Sequence, residues 1–275
     1  MRILFFYLLI LLIALSNSSN LLKAQTIASP LDPGKLATYR AIGFVIGLGN
    51  NMQSGKFETA CPCFFSDGTK FGYSLGIVFD QSLFADFYWG IEGLYDYKGI
   101  KSSYLEKESF PVTSTETGKK ENVNVLFRHI GEADFSAIIA MPFLKWYPVS
   151  WFFFKFGVSG SFIVSSKVKH TKELQQTTAL LSTGEIVKIE FENTKSKSIV
   201  VEEGDFPEVN SPVFSLDPMI GFDFKLDKRL TASPVFMYSL PLNNISEKGI
   251  DFKISTFRFY LELKYIITGP ELNPN

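Results

Sequence analysis

Residues 255–269 read STFRFYLELKYIITG. Phe257, Phe259, Leu261, Leu263, Tyr265 and Ile267 fall on one parity, and Arg258, Tyr260, Glu262 and Lys264 on the other. Such alternation marks a strand whose two faces meet different surroundings. A water-soluble sheet turns Phe and Leu inward and leaves the charges wet. A membrane barrel does the reverse. The remainder of the chain decides between them.

Seven earlier segments repeat the pattern, at residues 39–49, 71–80, 87–99, 136–148, 151–166, 214–226 and 230–240. The second, FGYSLGIVFD, sets Phe71, Tyr73, Leu75, Ile77 and Phe79 against Gly72, Ser74, Gly76, Val78 and Asp80. Each run has about the 9–11 residues, or slightly more, that cross a bilayer as a tilted strand. Eight is also an even number, as in bacterial single-chain outer-membrane barrels. Connections at DQSLFAD, YPVSW and LDKR are short. Those around residues 50–69, 99–122, 166–212 and 241–252 are longer and polar. Short and long alternate, the layout of tight periplasmic turns and larger outer loops. Both ends of the barrel then fall on the periplasmic side.

The face opposite the apolar one is rich in Gly and Ser with scattered charges, which suits the narrow interior of eight strands. Aromatic residues near strand ends, among them Phe87, Trp89, Tyr97, Trp146, Tyr147, Trp151 and Tyr265, suit interfacial girdles. The expected fold is therefore all-β: an eight-stranded antiparallel up-and-down transmembrane β-barrel. Pro142, Pro218 and Pro234 lie inside expected strands and predict bulges or local breaks. Residues 185–201, EIVKIEFENTKSKSIVV, read as a hairpin above the membrane. Its insertion would make ten strands, the alternative architecture.

The N-terminus, MRILFFYLLILLIALSNSSNLLKAQT, has Arg2, an apolar run from Ile3 to Leu15, and Ala24 at a cleavage point. This predicts a signal peptide over 1–24, a periplasmic segment 25–37, a barrel 38–267 and a tail 268–275. The expected location is the outer membrane, with lipid and the barrel-assembly machinery as general partners. A formal charge of -1 supplies no field for nucleic acid.

The segments AIIAMPFLKWYP and WFFFKFGVSGSF, then GFDFKL and RLTASPVFMYSLPLNNIS, with KAQ ending the signal, carry a family resemblance. The chain resembles the PorT-like outer-membrane β-barrel proteins of the Bacteroidetes and Chlorobi group. The resemblance implies an eight-stranded barrel without a cofactor or catalytic residues. It also implies, for some members, a role in protein secretion across the outer membrane. Here the last strand closes on Ile266–Ile267 rather than on a terminal Phe, and TGPELNPN follows.

Three groups of residues invite a chemical reading. Cys61 and Cys63, the only cysteines, flank Pro62 in the first outer loop. They read as a small structural disulfide, as a redox or partner-linking thiol pair, or as two ligands of a metal site. The last reading needs more ligands, and His129 and His170 would have to converge from other loops. His129 has Glu132 and Asp134 nearby and Arg128 beside it, which raises a barrel hydrolase; a solvated strand top is the plainer reading. Glu92, Asp96, Lys98, Lys155, Asp223, Lys225, Arg258, Glu262 and Lys264 form an inward set of both signs. It reads as a packed ionic plug, with a small ion path as its rival. The expected function is non-enzymatic, without cofactor or metal, with surface loops that meet a secretion-system or surface partner.

Overall fold

The computed structural model of the chain describes residues 39–59, 63–191 and 196–268. The expected signal peptide, the segment 25–37 and nearly all of the C-terminal tail lie outside these residues. Thirteen strands follow in order: β1 (Arg40–Glu58), β2 (Phe64–Phe65), β3 (Thr69–Phe84), β4 (Phe87–Thr113), β5 (Lys120–Val149), β6 (Phe152–Leu174), β7 (Thr178–Leu180), β8 (Ile186–Lys188), β9 (Ser198–Asp205), β10 (Val213–Phe222), β11 (Phe224–Lys225), β12 (Leu230–Pro241) and β13 (Gly249–Thr268). Eight of them close a ring in the order β1-β3-β4-β5-β6-β10-β12-β13, and β13 returns to β1. Every adjacent pair is antiparallel. The fold is an eight-stranded up-and-down barrel.

The apolar face points outward. Phe44 is 70% exposed, and Ile77, Leu144, Phe156 and Leu261 are exposed beside it. On the same strands Glu92, Lys155, Arg258, Glu262 and Lys264 are buried. An apolar exterior around a charged interior is stable only where the outside is lipid. Inside, large groups interlock with glycines of adjacent strands. A Cβ on Gly47 would sit 2.2 Å from the Tyr260 ring, and one on Gly221 would sit 2.3 Å from Phe153. The inward glycines are the space those rings occupy, so the interior is filled rather than open.

The three prolines interrupt pairing without shifting register. Pro218 aligns with Phe156 on β6, while the β10–β12 pairing skips from Leu216↔Leu240 to Met219↔Met237. Pro142 aligns with Ile91 on β4, and the β5–β6 pairing skips from Ala140↔Gly160 to Phe143↔Gly157. Pro234 aligns with Leu261 on β13. Each lacks the N–H that a ladder needs on one side, so local breaks occur there rather than bulges.

The long polar connections are largely sheet, which corrects the expectation of loops. β4 and β5 pair without a register shift from Phe87↔Trp146 to Thr113↔Lys120. β1 continues to Glu58, and β6 to Leu174. Alternation persists above the belt with its polarity exchanged. Ile100, Val125, Phe127, Ala133 and Phe135 turn inward and are buried, whereas Lys101, Lys107 and Arg128 are exposed. The exposed charges made these stretches look like loops.

The 185–201 segment does not enter the ring; its tip closes in one antiparallel bridge, Phe191↔Ser196, but its two arms pair with other strands rather than with each other. β8 pairs with β7 in a separate two-stranded sheet, and β9 adds to β6. Residues 192–195 lie outside the described residues. The division has a structural cause. β10 pairs with β6 only up to Val213↔Ser161, which would leave the upper edge of β6 open; β9 covers it from Lys167↔Asp205 to Glu173↔Ser198. Val187, Ile189 and Phe191 meanwhile bury against Val112, Val125 and Phe127.

Candidate functional site

Two polar constellations lie inside the barrel at different heights. The lower one is the ionic set. Lys155 Nζ lies 2.9 Å from Glu262 Oε1 and also binds Glu92. Lys264 Nζ reaches Glu262, Asp80 and Asp223 at 3.4, 3.6 and 3.5 Å. Lys145 Nζ reaches Asp80 at 3.4 Å and Asp223 at 3.9 Å. Three lysines thus meet four carboxylates. Slightly higher, Arg258 Nη2 donates to Asn51 Oδ1 at 2.7 Å, to the Tyr97 carbonyl at 3.1 Å and to Asp96 at 3.2 Å. Lys98 Nζ is 3.6 Å from Asp96.

Of the nine charges expected inside, eight face the interior and Lys225 does not. It is exposed in β11, beyond the break at Asp223 that separates β11 from β10. Lys145, Asp80 and Asp217 also belong inside and are buried. The parity of their own strands already pointed there. A cavity of about 10 Å³ beside Asp96, Lys98 and Asp217 has room for about one water.

The upper constellation centres on two histidines. His129 is on β5 and His170 on β6, and the strand register places His170 opposite Gly131, two residues from His129. Both are buried. His129 Nδ1 and His170 Nε2 face each other at 3.0 Å. The outer nitrogens have their own partners: His129 Nε2 meets Glu108 Oε1 at 2.7 Å, and His170 Nδ1 meets Thr59 Oγ1 at 3.3 Å. Glu108 also binds Lys172. Tyr104 stacks on His129 with centroids 4.9 Å apart, and Phe65 meets His170 edge-on at 5.2 Å.

Tyr104, the cross-strand partner of His129, is seven residues beyond Tyr97 on β4. The histidines therefore sit roughly 23 Å further along the strands than the upper end of the apolar belt. Burial, with His129 and Lys172 as neighbours, pushes His170 down to about 4, so its ring is neutral at pH 7. Burial opposes ionisation of Glu108, yet the Lys172 ammonium and the His129 ring hold its carboxyl below the usual range. One arrangement of the ring protons gives every donor in this hydrogen-bond chain an acceptor. Thr59 donates to His170 Nδ1, His170 Nε2–H donates to His129 Nδ1, and His129 Nε2–H donates to Glu108.

The expected His129–Glu132–Asp134 grouping is not formed. Strand alternation puts His129 inside and both acids outside. Outside, Asp134 binds Lys70 at 2.7 Å and Glu132 binds Lys101 at 2.8 Å. The acid that meets His129 is Glu108, on the neighbouring strand. Cys63 is disulfide-bonded and half-buried. Cys61, the other cysteine, lies outside the described residues. The Cys63 sulfur and one donor nitrogen from each of His129 and His170 lie within 4.8 Å of one another.

No family model and no curated protein matches the chain. Among solved structures, the attachment invasion locus protein Ail of Yersinia pestis, in complex with the heparin analogue sucrose octasulfate, is similar at 11% identity. It covers 82% of this chain and 99% of Ail, with a TM-score of 0.32. Neisserial surface protein A is similar at 7% identity, over 82% of this chain and 97% of its own, with a TM-score of 0.30. The outer membrane protease OmpT of Escherichia coli is similar at 9% identity, over 88% of this chain and 99% of its own, with a TM-score of 0.31. Likeness at this level carries no argument, and the fold rests on the closed ring of strands.

Proposed function

We propose that this chain is a non-enzymatic outer-membrane barrel that holds a rigid sheet platform above the bilayer for contact with a macromolecular partner. The observation that carries the reading is the change of polarity along the wall. Below, lipid-facing apolar residues surround an ionic interior. Above, the same strands bury Phe57, Ile100, Phe135 and Phe252, together with Phe65 of β2 and Phe206 beyond β9, in a core of their own and display charge outward. A platform stiffened in this way presents a fixed surface, which loops alone do not. The filled interior supports a plug over an ion path. Tyr104 and Phe65 occupy the volume beside the histidines that a substrate would need, which favours binding or support over catalysis.

Two measurements test this. Heat-modifiable gel mobility with membrane fractionation tests the barrel and its location; a soluble, unmodified protein would overturn both. Crosslinking of intact cells through cysteines placed at the exposed positions Lys107 and Lys167 tests the platform. The expected outcome is a discrete adduct with one partner, and labelling with no adduct counts against the reading. A secretion-accessory role is the finer form, supported by the PorT-like sequence resemblance. Unchanged secretion in a deletion strain would remove it.

A further inference from the structure

We propose that His129 and His170 form a site for a zinc-class divalent ion, gated by the redox state of Cys63, which supplies the third ligand once its disulfide is reduced. The inference is independent of the partner-binding role. Its first ground is the facing pair of nitrogens. Two tetrahedral zinc donors at 2.0–2.1 Å lie about 3.3 Å apart, and His129 Nδ1 and His170 Nε2 are 3.0 Å apart.

The second ground is what holds the outer nitrogens. Metal-bound histidine characteristically donates its other N–H to a carboxylate or another oxygen, which fixes the tautomer. Glu108 does this for His129, and Thr59 Oγ1 stands at the same position for His170. In the metal-free arrangement a single ring proton occupies the gap between the histidines. An ion takes that place if His170 moves its proton from Nε2 to Nδ1 and the Thr59 hydroxyl turns from donor to acceptor. The ring's proton count does not change. Lys172 does not add unbalanced positive charge, because it is bound to the other oxygen of Glu108.

The third ground is the sulfur. With Cys63 disulfide-bonded, two imidazoles alone make a weak site. Reduction by a dithiol consumes two electrons and two protons, opening the bridge to two thiols while the dithiol closes to its own disulfide. On binding, the Cys63 thiol releases its proton to water and its thiolate joins the two imidazoles. Two histidines, one thiolate and a water complete a tetrahedron. Cys63 and Glu108 are only half-buried and give access from outside.

The test is cobalt(II) and zinc titration of the full mature chain folded in detergent, oxidised and then reduced. The reduced protein is expected to develop thiolate-to-cobalt charge-transfer absorption and to bind zinc more tightly than the oxidised form. Cys61→Ser, which leaves Cys63 as the chain's single thiol, is expected to bind without reductant. Cys63→Ser is expected to lose the charge-transfer band, His129→Ala and His170→Ala to lose binding, and Glu108→Gln to weaken it about 10–100-fold. Heat-modifiable mobility of each variant confirms that the barrel has folded. No absorption in either the reduced protein or Cys61→Ser overturns the proposal. So does binding that survives His129→Ala, or magnesium binding as tight as zinc, which would assign the ion to Glu106 and Glu108 instead.

Discussion

The belt of the barrel and the extension above it use the same strands with opposite chemistry. β13 shows both. At its upper end Phe252 and Ile254 turn inward and are buried, and Asp251 is exposed. Lower down Arg258, Tyr260, Glu262 and Lys264 are the buried residues, and Phe257, Phe259 and Leu261 are exposed. From Phe252 to Lys264 the even positions are inside. The backbone's two-residue period determines which side chains share a face. The medium outside determines whether that face is apolar. Where the medium changes from lipid to water, the pattern inverts: β4 and β5 keep one register through the change, while β6 shifts by one residue against β5 between Ser136 and Ala137.

This contrast can be broken most severely from inside the belt. Lys155→Met leaves Glu92, whose ion-pair partner is Lys155, buried without that positive partner. Breaking a buried pair in this way costs about 3–5 kcal/mol. The expected outcome is a lowered urea midpoint for loss of the heat-modifiable form. Phe252→Ala removes a ring that contacts Phe57, Phe135 and Phe206 in the extension core. It should also cost about 3–5 kcal/mol, but the damage should be confined above the belt. Limited proteolysis is expected to cut the extension while the barrel keeps its gel mobility. Loss of both would show that the two regions do not behave separately.

Substituting the same residue at two heights sharpens the comparison. Leu261→Arg puts a charge on the lipid face, where the cost near the midplane is about 2–4 kcal/mol, and folded barrel recovered from membranes should fall. Leu105→Arg is on the outer face of the extension, where Leu105 is 56% exposed. It should change stability by less than about 0.5 kcal/mol. Similar effects from both would mean that the medium does not change between these heights. Glu262→Gln should be the mildest belt change, because Lys155 and Lys264 retain Glu92, Asp80 and Asp223.

Much of the belt was legible in the sequence because each strand there carries its own evidence. Phe257 to Tyr265 alternate with Arg258 to Lys264 in one short stretch, and no distant residue is needed to read them. The extension was harder. Lys101, Lys107 and Arg128 suggested loops, since polar residues in a barrel's outer half also occur where no sheet exists. The pairing of β4 with β5 up to Thr113↔Lys120 depends on both strands keeping phase, a property of the pair rather than of either segment. Lys225 was misplaced for a related reason: alternation counted through Asp223 misses the break there.

The sequence by itself determined the architecture and the face of nearly every belt residue, because side-chain parity is local and the apolar set must meet lipid. Only the tertiary structure decided which charges pair and which chemistry-bearing residues meet. His129 is near Glu132 and Asp134 in the chain, yet alternation sends them to opposite sides of the wall. Glu108 and His170, 21 and 41 residues away, come within hydrogen-bond reach of it. Antiparallel register brings them together, and register depends on where each hairpin turns.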